Sequence, residues 1–177
     1  MNAKLQQQFN DLEESRKALF YDLRGQDDTI INKKPSGEAW SIAQVMEHLI
    51  MSEELSLKYL QKKTLDTSKA QVAGIGSHWR FFLTRTVFVM NIKYKAPSLI
   101  NPPANFVSIK QLEERWKAVR SETLKLLNQL PEADLKKEIW KHAIAGKMNI
   151  EQMLAFFAIH FNRHRKQVYR TLEEVVL

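Results

Sequence analysis

Three stretches of this chain open with the same device. Ser41 is followed three places on by Gln44, Ser108 by Gln111 and Asn149 by Gln152. In such a pair the first side chain accepts from an amide of the opening turn, while the glutamine reaches back to the amide of the capping residue, so two orphaned donors are satisfied together. Each pair is also stapled. Trp40 with Val45, Val107 with Leu112 and Met148 with Met153 set one apolar residue before the cap and another at the fourth helical position. Three starts of this kind commit most of the chain to long helices.

Apolar periodicity supplies the lengths. The second predicted helix spans about 41–62 and buries Ile42, Val45, Met46, Leu49, Leu57 and Leu60, with His48 beside that stripe. The third spans about 108–130 through Leu112, Trp116, Val119, Leu126, Leu127 and Leu130, and Pro131 ends it. The fourth, about 149–173, carries Ile150, Leu154, Phe157, Phe161, Val168, Leu172 and Val175. A first helix over about 2–24 shows Leu5, Phe9, Leu12, Leu19 and Leu23, with Arg16 where an apolar residue is expected. Its guanidinium either snorkels to solvent, which is the favoured reading, or pairs with a carboxylate. Residues 25–40, with Asp27, Asp28, Asn32, Pro35 and Gly37, read as a connecting loop.

The connection over about 63–107 is too long for a tight turn between antiparallel neighbours, and its aromatic middle, 77–94, has room for a shorter helix. The expected architecture is therefore all-α, one four-helix-bundle domain over 1–177 with a long crossover between the second and third helices. Five glycines, five prolines and 44% hydrophobic residues agree with it. The absence of cysteine removes disulfides, thiolate ligands and a cysteine nucleophile, and any thiol chemistry requires an external thiol. Residues 1–9 are polar, and no stretch approaches the roughly 20 apolar residues that span a bilayer. A cytoplasmic location with no membrane partner is expected. The net charge of +7 is spread among 20 acidic residues, which reads as a solvated surface and not as a nucleic-acid face.

The chemistry-bearing feature is a histidine pair. His160 and His164 are one turn apart on the fourth helix, His164 on its apolar stripe and His160 beside Met153. A buried imidazole needs a partner, which is either an ordinary backbone acceptor or a metal ion. Two histidines leave a zinc-like ion short of the three protein ligands a catalytic site usually has, and His48 is the best third donor if the second and fourth helices pack side by side. His78, in the aromatic crossover, and His142, ahead of the fourth helix, are weaker candidates.

These residues resemble the DinB/YfiT-like metal-binding four-helix bundles. The resemblance rests on Trp40-Ser41 leading to His48-Leu49 and Glu53, on His160 and His164 followed by Gln167, and on the order of four long helices, so it covers essentially the whole chain. It implies a divalent ion, nickel or zinc, held by His48, His160 and His164. Neutral imidazoles suit both metals. It further implies either a metal-dependent enzyme similar to the bacillithiol-type thiol S-transferases, which join a low-molecular-weight thiol to an electrophile, or a metal-dependent hydrolase. A non-catalytic metal-binding or protein-interaction bundle is the alternative. Family members are often homodimers. The chain departs from the family where His-Pro and a glycine are usual, having His142-Ala143-Ile144-Ala145-Gly146, which puts a role for His142 at the site rim in doubt.

Other polar residues carry smaller claims. Gln167 can bond a ligand or simply face solvent, and Glu53 can serve as a general base or as an acceptor for an imidazole N–H, although a surface carboxylate is commoner. Asn162 and Arg163 flank the pair. The stretch Trp79-Arg80-Phe81-Phe82 with Arg85, Phe88, Lys93 and Tyr94 suits a covered bundle end or a dimer contact better than a nucleic-acid platform or an interfacial helix. The chain has no phosphate-cradling glycine loop, nucleophile elbow or dinucleotide fingerprint. Phe157 and Phe161 occupy the positions where di-iron bundles carry glutamates, which favours a single ion.

Overall fold

The computed structural model describes residues 1–37, 39–89, 105–142 and 146–177. Four long helices, α1 (Ala3–Leu23), α3 (Ile42–Lys63), α5 (Ile109–Gln129) and α7 (Ile150–Val176), form the bundle. Shorter elements join them: α2 (Asp28–Asn32), α4 (Ile75–Val89), α6 (Glu132–Leu135), and the strands β1 (Trp140–His142) and β2 (Gly146–Met148). All three expected capping boxes form, at Ser41, Ser108 and Asn149. Both members of each staple also pack into a common apolar cluster.

Cross-helix pairs give the directions. Along α3 and α5 the partners rise together, from Ser41 with Asn105, through Glu47 and Glu54 with Arg115, to Glu53 with Arg120, so these helices are parallel. Lys4 meets Glu151 at 2.6 Å and the Tyr169 hydroxyl donates to Asp22 at 2.6 Å, which makes α1 and α7 parallel. Between α3 and α7 the order reverses, since His48 meets His160 while Leu60 shares a cluster with Met153 and Leu154. The bundle thus runs up, down, down, up. Parallel α3 and α5 require the chain to return along the bundle between them, which is the expected crossover, and α4 lies on that return and packs on α7.

The residues read as a loop before α3 contain α2. Asp27 caps it by accepting from Thr29 and Ile30, and Ile31 is completely buried. Asn32 then clasps the approach to α5: its side-chain oxygen accepts from the amides of Phe106 and Val107, and its amide donates to the Val107 carbonyl. Phe106 is held there at a φ of 83°, uncommon for a residue with a side chain. The hairpin of β1 and β2, pairing Trp140 with Met148, is a second addition to the sequence reading. Gly146 meets it at a φ of 79°, where glycine is unstrained. Lys93, Tyr94 and Ala143 to Ala145 lie outside the described residues.

Arg16 does not snorkel. It is 4% exposed and donates to Glu13, which also lies 3.7 Å from Arg120. Arg120, 2% exposed, forks onto both oxygens of Glu53, and these four residues form a belt of charge between the two apolar clusters. Four charges of two signs, bonded to one another, avoid the large cost that a lone buried charge would carry.

Breaking the belt on one side is expected to be costlier than removing the pair. Arg120→Met, which strands the Glu53 carboxylate, should lower unfolding free energy by about 3–5 kcal/mol, and adding Glu53→Met should recover most of that loss. Urea denaturation of the three proteins checks this. Equal loss in single and double variants would show that packing, not charge pairing, governs the position.

Candidate metal centre

The antiparallel packing of α3 on α7 decides where the histidines meet. His48 lies in the second turn of α3, and its Nε2 comes within 3.2 Å of His160 Nε2. His164, one turn further along α7, has its ring 4.8 Å from that of His48 and 4.7 Å from that of His160. One ligand nitrogen from each of the three lies within 4.8 Å of the others, and among the described residues no carboxylate joins this group. His48 and His160 are buried and His164 is half-buried. Neither of the other two histidines joins this ligand group: His78 is exposed on α4, and His142 belongs to β1.

The environment keeps the imidazoles neutral. Desolvation lowers the pKa of His48 from 6.5 to about 4, helped by His164. Desolvation also brings His164 to about 4, with the Gln167 hydrogen bond opposing and the Arg163 charge assisting. His160 is held well below its usual value by burial first, then by the neighbouring histidines and Arg163. Neutral rings carry the lone pairs that a metal ion requires. His164 Nδ1 donates to Gln167 Oε1 at 2.9 Å, which leaves Nε2 as its lone-pair nitrogen. His48 Nδ1 is buried with no hydrogen-bond partner.

This donor set fits a tetrahedral dication. Two nitrogens each about 2.0–2.1 Å from zinc are separated by roughly 3.3 Å at the tetrahedral angle, and the His48 to His160 nitrogen separation is 3.2 Å. Such proximity is awkward without an ion, because two Nε2 lone pairs facing each other repel unless one nitrogen carries the proton.

Aromatic rings hold the imidazoles in place. Trp40, the staple residue, also packs on His48 at 5.4 Å. Phe156 stacks on His160 at 5.4 Å, and Phe88 from α4 meets the same ring edge-on at 6.0 Å. His142 rests on Phe156 at 4.4 Å, so one phenyl ring separates it from His160, and burial lowers its pKa to about 4. Sequence reasoning passed over Phe88 and Phe156 as site residues. Phe156 lies one turn before His160, a spacing that signals the contact, whereas the Phe88 contact depends on where the crossover docks.

Glu53 takes neither role expected of it. Both its oxygens are bonded to Arg120, and it is 5% exposed, so it is neither a base beside the histidines nor a surface carboxylate. Gln167 does not face solvent alone but sets the His164 tautomer.

The pKa shifts fix a pH dependence. Near pH 7 the rings are largely neutral in both folded and unfolded chains; between about 6.5 and 4 the unfolded chain takes up protons that the folded chain refuses, so stability falls as pH drops through that window. Metal-free protein should therefore show a lower urea midpoint at pH 5 than at pH 7. An unchanged midpoint would mean that the folded rings titrate normally.

Comparison with known proteins gives the family of the chain. A protein of Bacillus subtilis (strain 168), described as uncharacterized protein YuaE, is 26% identical over 162 residues, covering 92% of this chain and 95% of its own. A family model described as the DinB superfamily matches residues 11–168, from α1 through His48, His160, His164 and Gln167. The chain belongs to the DinB superfamily.

Proposed function

We propose that His48, His160 and His164 hold a divalent ion, zinc or nickel, and that the protein is a metal-dependent enzyme joining a small external thiol to an electrophile. The carrying observation is the 3.2 Å approach of two buried Nε2 atoms from α3 and α7, with a third imidazole in reach. A dication so placed acts as a Lewis acid, lowering the pKa of a thiol or water that binds to it. The chain's own residues position and insulate. Gln167 orients His164, Trp40 and Phe156 hold the rings of His48 and His160, and Phe88 covers His160 from the crossover side. With no cysteine in the chain, the thiol comes from solution. Three protein ligands also leave a coordination position for an exogenous group, as catalytic sites do.

The burial of His48 and His160 favours a second reading, in which the ion chiefly fastens α3 to α7. Turnover separates the two. Protein purified without a histidine tag should contain one zinc or nickel per chain by elemental analysis, and His160→Ala should lose more than about 100-fold in affinity, beyond the roughly 10–100-fold expected for Gln167→Leu. Substoichiometric metal, or uptake indifferent to His160→Ala, would refute the centre. With metal in place, a panel of small thiols and a chromogenic electrophile should give turnover that chelation abolishes. Metal without such turnover would leave the fastening role.

A further inference from the structure

We propose that the outer face of α4, with the hairpin beside it, is a docking surface for an anionic lipid bilayer, held by an apolar stripe and by the cations that flank it. The face is the one turned away from α7 and the histidines, and its role does not depend on a metal.

Helix α4 is apolar on two sides. Ser77 and Phe88 are buried where the helix packs on α7, and Phe81 joins the same core. On the opposite side Ile75, Trp79, Phe82 and Leu83 recur at helical spacing, and they are 89%, 61%, 55% and 49% exposed. Trp79 and Phe82, expected at a covered bundle end or a dimer contact, therefore face away from the bundle, and their rings stack on each other at 5.6 Å. Val72, also exposed, extends the stripe just before the helix begins. Single exposed apolar residues need no explanation, but a row of them that includes two large aromatics marks a binding surface.

The charge around the stripe is of one sign. α4, β1 and β2 contain Arg80, Arg85, Lys141 and Lys147 and no Asp or Glu. Arg80 joins α4 to β2 by donating to the Lys147 carbonyl at 3.1 Å, and Glu138 answers its charge at 2.9 Å. Lys141 and Lys147 are directly opposed across the hairpin and both exposed, while Trp140 and Met148 beside them are buried. Like charges set opposite each other destabilise a strand pair, and an outside anion relieves them. An isologous contact with a second copy would instead set this cationic face against itself. Val72, Ile75 and Leu83 are aliphatic and offer no stacking face to a nucleic-acid base. A bilayer with anionic headgroups supplies what the face lacks: phosphate charge for Arg85, Lys141 and Lys147, and an acyl boundary for the stripe. Among the described residues no helix is long and apolar enough to cross a membrane, so the contact is with the bilayer surface.

The test is cosedimentation of the full chain with vesicles of phosphatidylcholine alone and of phosphatidylcholine mixed equally with phosphatidylglycerol, with tryptophan fluorescence recorded on the same samples. Trp40, Trp116 and Trp140 are half-buried or buried, so a blue shift on binding reports Trp79. The chain should bind the mixed vesicles with such a shift, and bind phosphatidylcholine alone at least about tenfold more weakly. Phe82→Gln combined with Leu83→Gln, both at exposed positions, should weaken binding to the mixed vesicles by about tenfold or more. Lys141→Gln combined with Lys147→Gln should do the same, since each cation at the surface contributes about a factor of five. Far-ultraviolet circular dichroism checks the helicity of both double variants, and either one alone suffices if the other unfolds. Failure to bind the mixed vesicles, or binding that folded double variants leave unchanged, overturns the proposal. So does a dimer in sedimentation equilibrium that Phe82→Gln with Leu83→Gln dissociates, because the face would then belong to a second copy.

Discussion

The antiparallel register of α3 against α7 is the constraint on which this molecule turns. A slip of one residue along α7 would rotate its contact face by about 100° and carry His160 away from His48. The 3.2 Å contact between their Nε2 atoms exists because that register is held from several sides. Capping boxes set where both helices begin, and the apolar clusters on either side of the charged belt fill the space between them.

The belt itself joins the other pair of helices. Glu53 with Arg120, and Glu47 and Glu54 with Arg115, tie α3 to a parallel α5, while Glu13 and Arg16 bring α1 to the same level. A parallel pair cannot be joined by a short loop, so the chain must cross back, and that crossing delivers α4 to the surface of α7. Phe88 reaches His160 and Arg163 by this route. The feature that complicates the topology thus contributes part of the wall of the centre.

Much of this was legible in the sequence because the signals were local. A capping residue, its glutamine and the flanking staple lie within six positions of one another, and all three such sets form as read. The histidine triad was legible too, since helical spacing paired His160 with His164 and His48 was the histidine placed on a long partner helix. Readings that depended on distant partners fared otherwise. Glu53 was sent to the surface or the site, because nothing near it announces Arg120, 67 positions away, as the residue that draws it inward, whereas Arg16 was sent to solvent over the carboxylate pairing that Glu13, three positions before it, provides. Helix α2 and the hairpin escaped notice for a related reason: each is only a few residues long and is stabilised by contacts beyond itself, such as those of Asn32 with residues 105–107.

Family membership, the convergence of three neutral imidazoles and the insulating aromatic rings all bear on one claim, that a single ion is held by these histidines. X-ray absorption at the metal edge of the nickel- or zinc-loaded protein tests it most directly. The account predicts a first shell of nitrogen and oxygen scatterers with outer-shell scattering that fits three imidazoles and drops to two in His160→Ala. A shell with one imidazole or none, or a spectrum that His160→Ala leaves unchanged, would contradict it.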